Sequence, residues 1–168
     1  MANFWNKAGI YGLLLALVTI IFLLIPSVMP DLSKGITITM NLLKLALTVS
    51  LLYYFMKDYG KPLEKYDYSE AFKFGLAVSL CSSVVAVAYY FVHIMYLFPE
   101  TSDQFMQIME QALSQSGNTQ DVDVNLFMGK LPAILCFSQL FYFNILGLLW
   151  SSLLANAAKH QTPNTPFA

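Results

Sequence analysis

Four long apolar runs, separated by short polar segments, dominate the pattern of the chain. They cover residues 8–29, 35–56, 69–97 and 132–156. At a rise of about 1.5 Å per residue, a helix of any of these lengths crosses a hydrocarbon core of about 30 Å. The pattern predicts an all-α polytopic membrane protein, a four-transmembrane-helix bundle, with one domain over residues 1–160 and a polar, disordered tail at 161–168.

Shorter signals refine the ends of these spans. Ser69, followed by Glu70, is the expected N-cap of the third span, and Pro132 is expected in the first turn of the fourth. Between these two spans, apolar residues recur at helical spacing over residues 101–116 among polar ones. This segment is too short and too polar to cross a bilayer, so we predict an amphipathic helix lying in the outer interface.

Composition excludes several classes of function. Hydrophobic residues make up 57% of the chain and charged residues only 11%, too few charges to cover a water-exposed surface. The net charge of -1 and the lack of arginine exclude a nucleic-acid footprint. Cys81 and Cys136 stand apart in apolar segments, without the paired spacing of a metal or redox site. We therefore expect no metal and no cofactor.

The distribution of lysine predicts the orientation in the membrane. Lysines flank the connection between the second and third spans, and Lys7 and Lys159 lie on the same side of the predicted bundle. The long connection after the third span is acidic instead. Short cytoplasmic loops carry an excess of positive charge. Both termini are therefore predicted to be cytoplasmic, with the protein in a bacterial inner membrane.

Lys44 is the most informative residue, because an ammonium deep in a span costs at least about 2.5 kcal/mol on insertion scales. Thr37, Asn41 and Thr48 share its helical face. Each helical residue rises by the same distance along its span, so position in the span gives depth in the membrane. By this count, hydroxyl and amide groups of the other spans lie at a depth similar to that of Lys44. The candidate intramembrane polar site is Asn41, Lys44, Tyr90, Gln139 and Tyr142.

Three interpretations of Lys44 remain open at this stage. The side chain can extend towards the outer interface as a structural lysine. It can instead pair with an acidic residue of another subunit or with a lipid phosphate, since no carboxylate lies in the interior of a span. A transport or proton-relay role is the third interpretation, for which the spans offer few other ionisable groups.

Two further groups of residues are predicted from their pattern. Rows of small residues let membrane helices approach closely, and the expected packing positions are Gly12, Gly75, Ser79, Gly147 and Ser151. The connection between the second and third spans is rich in charge and tyrosine. It either contacts lipid headgroups or docks a peripheral protein, through Lys57, Asp58, Lys61, Lys65, Tyr66 and Tyr68.

The chain also resembles a known family. The resemblance rests on residues 53–58 (YYFMKD), residues 68–75 (YSEAFKFG), Pro99 and residues 147–155 (GLLWSSLLA). These segments are similar to a bacterial family, common in Bacteroidetes, that is classed as a domain of unknown function. The resemblance implies a small inner-membrane protein with four spans, acting as an accessory to a polyprenol-phosphate glycosyltransferase.

These observations lead to a ranked set of functions. The sequence contains no phosphate-binding loop, nucleophile motif, paired histidines or carboxylate pair, so we expect a protein without enzymatic activity. The leading hypothesis is a non-catalytic accessory or scaffold subunit, partnered by the glycosyltransferase or by copies of itself. The alternative is a small oligomeric transporter or flippase-like protein with a polar path around Lys44. A membrane-embedded enzyme acting on lipid is the third.

Overall fold

The computed structural model describes residues 2–29, 33–100, 107–108, 111 and 124–161. Helix α1 covers Ala2–Val28, α2 covers Lys34–Gly60, α3 covers Tyr68–Val92 and α4 covers Val124–Ala158. A π-helical turn, His93–Leu97, continues α3. Strands β1 (Lys65–Tyr66) and β2 (His160–Gln161) form an antiparallel ribbon.

Four helices in the described ranges are long and apolar enough to cross a membrane. Their spanning segments are Asn3–Val28, Gly35–Gly60, Tyr68–Leu97 and Lys130–Ala158. Each segment contains the corresponding predicted span or matches it to within one residue at its end. The prediction of an all-α membrane protein with four spans is therefore confirmed.

Two details of the helix ends differ from prediction. The N-cap of α3 is Asp67, whose Oδ1 accepts a hydrogen bond from the Glu70 backbone N–H at 2.9 Å. Ser69 lies inside the helix, so the N-cap prediction was wrong by two residues. Pro132 lies eight residues beyond the start of α4, where it removes a backbone hydrogen bond rather than occupying the tolerant first turn.

Two predicted segments lie largely outside the described residues. Of the amphipathic helix expected at 101–116, only Gln107, Ile108 and Gln111 are described, all as helical, and its interfacial position is not supported. Of the tail expected at 161–168, only Gln161 is described. That residue pairs with Lys65 in the β1–β2 ribbon.

The chain divides into two compact units. The first contains Met1–Ala86 with Tyr142–Ala168, and the second contains Val87–Phe141. In the second unit, the Phe98 backbone N–H donates to the His93 carbonyl at 2.8 Å, which closes the π-helical turn. The His93 ring is buried and lies 4.8 Å from the Phe98 ring, measured between centroids.

The first unit holds most of the buried core and has helices that alternate in direction. Phe4, near the start of α1, contacts Tyr59 at the end of α2 and Phe74 near the start of α3, at ring-centroid distances of 5.8 and 5.5 Å. The ribbon joins the end of α4 to the same region. One end of this unit therefore collects Lys7, Lys57, Lys61, Lys65, Lys73 and Lys159, and we call it the lysine-rich end.

Candidate functional site

Close helix contacts in the first unit depend on three glycines. A Cβ atom added at Gly12 of α1 would lie 2.5 Å from the Cβ of Cys81 on α3. One added at Gly147 of α4 would lie 2.6 Å from the Cβ of Ser79. At Gly75 of α3 it would lie 2.9 Å from both Met56 Sδ and Ser151 Oγ. All five expected packing positions therefore lie at helix contacts.

The same four helices leave an open cleft of about 610 Å³. Leu15 and Thr19 line it from α1. Helix α2 contributes the longest stretch, from Ile38 to Leu52. The remaining lining residues are Ser79, Ser82, Ser83 and Ala86 of α3, and Tyr142, Phe143, Leu146, Gly147 and Trp150 of α4. All belong to the first unit, so one compact part of the molecule forms the cleft.

Lys44 is the charged residue among those that line this cleft. Its side chain is partly buried, and its Nζ lies 5.9 Å from the centroid of the Phe143 ring on α4. A lysine in this position gains cation–π attraction from the ring face. Among the residues that the structure describes, Lys44 forms no ion pair with a carboxylate. The ammonium therefore faces the cleft with capacity for further hydrogen bonds.

Hydroxyl groups from two helices add polarity to the cleft. Thr48 donates to the Lys44 carbonyl oxygen at 2.8 Å, and Ser83 donates to the Leu80 carbonyl oxygen at 2.9 Å. Ser79 and Ser82 line the cleft and are buried. Hydroxyl oxygens whose protons are held by the backbone still accept hydrogen bonds, and rotating hydroxyls can donate to an anion.

The structure brings three of the five predicted polar-site residues together. Asn41, Lys44 and Tyr142 line the cleft, whereas Tyr90 and Gln139 belong to the second unit and do not. Sequence reasoning had assigned Ser79 to helix packing, and it serves both roles. Phe143 and Trp150 were not identified as site residues, because an aromatic residue in an apolar span gives no distinguishing signal.

The second candidate site is the connection between α2 and α3 at the lysine-rich end. We call residues 57–68, together with 159–161, the cap. Tyr66 is fully buried in it, and a Cβ at Gly60 would lie 2.5 Å from the Tyr66 ring. Burial raises the pKa of the Tyr66 hydroxyl, so this group stays protonated. The ribbon, in the register Lys65 with Gln161 and Tyr66 with His160, fixes the connection to the end of α4.

Of the six candidate docking residues, four are exposed, Asp58 is half-buried and Tyr66 is buried. Lys57, Lys61, Lys65 and Tyr68 are exposed, and the Lys61 Nζ approaches Asp58 Oδ1 at 3.0 Å. This hydrogen bond raises the pKa of Lys61. Tyr66, in contrast, is inaccessible to a partner, and its ring instead supports the cap from within.

A hydrogen bond between α1 and the end of α2 fixes the base of the cap. The Tyr11 hydroxyl donates to Asp58 Oδ2 at 2.6 Å, and the Tyr11 ring stacks on Phe55 at a centroid distance of 4.5 Å. Hydrogen bonds to charged groups that are partly shielded from water contribute more than neutral ones. Asp58 is thus held by α1 on one oxygen and by Lys61 on the other.

We expect Tyr11→Phe to lower the free energy of unfolding by about 1–2 kcal/mol, since it removes this hydrogen bond and keeps the ring. Lys61→Ala is the matched control on the same carboxylate. It should cause little change, because its ammonium is exposed and the pair is screened by water. Denaturation in mixed micelles, followed by circular dichroism, measures both. Equal losses for the two variants would contradict the assignment.

In the described ranges, no group of three His, Cys, Asp or Glu side chains is placed to hold a metal ion. Comparison with known proteins adds one finding. The sequence model of a family described as "Protein of unknown function (DUF4199)" matches residues 8–159. Neither the curated proteins nor the solved structures give a match.

Proposed function

Because this chain belongs to the family of proteins of unknown function DUF4199, its role has to be inferred from its own residues, and we propose a non-catalytic accessory or scaffold subunit of a bacterial inner membrane. The observation that carries the proposal is the cap. It is a segment anchored by Tyr66, by the β1–β2 ribbon and by the Tyr11–Asp58 hydrogen bond, and its lysine side chains remain exposed.

An ordered surface of this kind suits docking for an energetic reason. Binding to a flexible loop has to offset the loss of conformational freedom of that loop, and a preformed surface largely avoids this cost. The exposed lysines add electrostatic steering towards an acidic partner. The cap thus supplies both preorganisation and charge, whereas contact with headgroups alone would require only the charge.

The proposed orientation follows from the same lysines. They collect at the lysine-rich end, and an excess of positive charge marks the cytoplasmic side of short loops. Both termini are then cytoplasmic, and the cap faces the cytoplasm. The family resemblance makes a polyprenol-phosphate glycosyltransferase the proposed partner, with a homo-oligomer as the other assembly.

Co-purification from native membranes in mild detergent tests the docking role. The tagged chain should recover the glycosyltransferase, identified by mass spectrometry. Reversing three exposed lysines of the connection between α2 and α3, as Lys57→Glu with Lys61→Glu and Lys65→Glu, should lower recovery at least about tenfold. Lys130→Glu, at the opposite end of α4 from the cap, is the control and should retain it. Recovery of the free protein alone, under conditions that preserve known membrane complexes, would refute the proposal.

The alternative function is a small transporter or flippase-like oligomer. It is favoured by one specific observation, that Asn41, Lys44 and Tyr142 line a single open cleft. In vesicles containing the purified protein, this alternative predicts faster transfer of a fluorescent anionic lipid between leaflets. Lys44→Met should abolish the acceleration, and the triple cap variant should leave it intact. Transfer at the rate of protein-free vesicles would exclude transport.

A further inference from the structure

The cleft combines two kinds of surface in the way that an amphiphile does. Its walls are mostly aliphatic and aromatic, including Leu15, Leu42, Leu45 and Leu146. Set into these walls are the Lys44 ammonium and the hydroxyls of Ser79 and Ser82. Purely apolar walls would suit an acyl chain alone. An acyl chain without an anionic group would leave the Lys44 ammonium without a complementary charge. The mixture instead matches a ligand with an apolar chain and an anionic group.

The position of the cleft along α2 indicates where such a ligand comes from. The lining begins at Ile38, about 5 Å inside the spanning segment, and extends about 21 Å further to Leu52. Lys44 lies within this range, about 14 Å from Gly35. The cleft therefore lies within the hydrocarbon region and starts about one helical turn from its edge. Molecules that partition into the bilayer reach it more readily than free solutes do.

The environment of Lys44 sets the charge of the ligand. Its Nζ lies 5.9 Å from the centroid of the Phe143 ring, and the described residues provide no carboxylate for it. A ring face offers cation–π attraction but leaves the three N–H donors without an acceptor of strong basicity. Among the anionic groups carried by membrane amphiphiles, a phosphate presents several oxygens at once. It can accept from the ammonium and from neighbouring hydroxyls together.

We propose that the cleft binds an amphiphile of net negative charge through its phosphate group, with the phosphate oxygens at Lys44 and the cleft hydroxyls, and with an apolar chain along the leucines of α2 and α4. The cleft and the cap share no residue, so this proposal does not depend on the docking role. It is also independent of transport, because a bound lipid need not cross the membrane.

The chain contains a natural reporter for this test. Its two tryptophans are Trp5, which is 63% exposed near the start of α1, and Trp150, which lines the cleft. Trp5→Phe therefore leaves Trp150 as the single fluorophore. This variant would be placed in nanodiscs of phosphatidylcholine containing a small fraction of a lipid brominated on its acyl chain. Quenching of Trp150 reports how often that lipid occupies the cleft.

Brominated phosphatidic acid should quench at a mole fraction at least about tenfold lower than brominated phosphatidylcholine, because one charge-assisted contact is worth about one decade in affinity. Lys44→Met, added to the reporter, should remove this preference. Lys44→Arg should keep it, since it keeps the charge. Lys130→Met, which removes a lysine that does not line the cleft, should behave like the reporter itself. Circular dichroism and size-exclusion profiles verify that each variant is folded.

Three outcomes would overturn the proposal. The first is equal quenching by the two lipids, which would show that the cleft does not select the net negative charge that distinguishes phosphatidic acid from zwitterionic phosphatidylcholine. The second is an equal preference in the Lys44→Met and Lys130→Met variants. The third concerns the source of the phosphate. In detergent, dodecyl phosphate should perturb Trp150 fluorescence at concentrations at least about a hundredfold below those of inorganic phosphate, because its chain buries apolar surface. Equal potency would assign the cleft to a free anion.

Discussion

Replacing Phe74 by alanine is expected to lower the free energy of unfolding by about 3–5 kcal/mol, the range for a large aromatic residue removed from a packed core. Phe74 is fully buried near the start of α3. Its ring stacks on Tyr59 of α2 at a centroid distance of 3.9 Å and meets Phe4 of α1 edge-on at 5.5 Å. The substitution would therefore remove contacts that join three helices at the lysine-rich end.

The control for Phe74→Ala is Phe137→Ala on α4, because the Phe137 side chain is 74% exposed. It loses the same atoms without opening a cavity, so we expect a change near zero in comparison. Denaturation of the two purified variants in the same mixed micelles gives the difference. Phe74→Ala should also weaken the cap, since Tyr59 packs on Tyr66 at a centroid distance of 6.0 Å. A loss no greater than that of Phe137→Ala would show that the aromatic cluster contributes little.

The spans were predictable because the membrane imposes a simple rule on sequence. A helix that crosses hydrocarbon needs about 20 apolar residues, and this requirement is visible without knowledge of any contact. The ends were less predictable, as α3 shows. Asp67 and Ser69 are both good N-cap residues. Only the backbone geometry decided in favour of Asp67, whose side chain reaches the Glu70 N–H.

The polar face of α2 could also be read from sequence, since Asn41, Lys44 and Thr48 repeat at helical spacing. The contributions of the other helices could not be identified in the same way. Equal rise along the spans predicts depth, but neighbouring residues differ by about 100° in direction. Gln139 and Tyr142 were indistinguishable by depth, and only Tyr142 lines the cleft. The direction in which a helix faces is fixed by packing against its neighbours.

The cap gave almost no signal in the sequence. Its strands have two residues each, too short for any alternation to be recognised, and they join segments at distant positions in the chain. The alternation of charges and tyrosines in the connection predicts Tyr66 to be one of its docking residues. Its ring is buried beside Gly60, and its backbone pairs with His160, about 94 residues away.

We expect Gly12→Leu to lower the free energy of unfolding by about 3 kcal/mol, at the upper end of the cost of overpacking a core. Even a Cβ at Gly12 would lie 3.0 Å from the Ser82 backbone nitrogen and the Val78 carbonyl oxygen of α3. Backbone atoms cannot rotate aside, so the two helices would have to separate. Because Leu15 and Ser82 line the cleft from these same helices, separation should also impair the phosphatidic acid preference.

Gly9→Leu is the matched control for Gly12→Leu, one turn away on the same helix. Nothing lies within 4 Å of a Cβ atom built at Gly9, and leucine has a higher helix propensity than glycine, so this variant should be as stable as the parent or more so. The pair of variants separates steric contact from propensity, since both make the same substitution in α1. If both variants lost the same stability, close approach of α1 and α3 at Gly12 could not be the cause. If only Gly12→Leu is destabilised, the contact with α3 is required for the packing that forms the cleft.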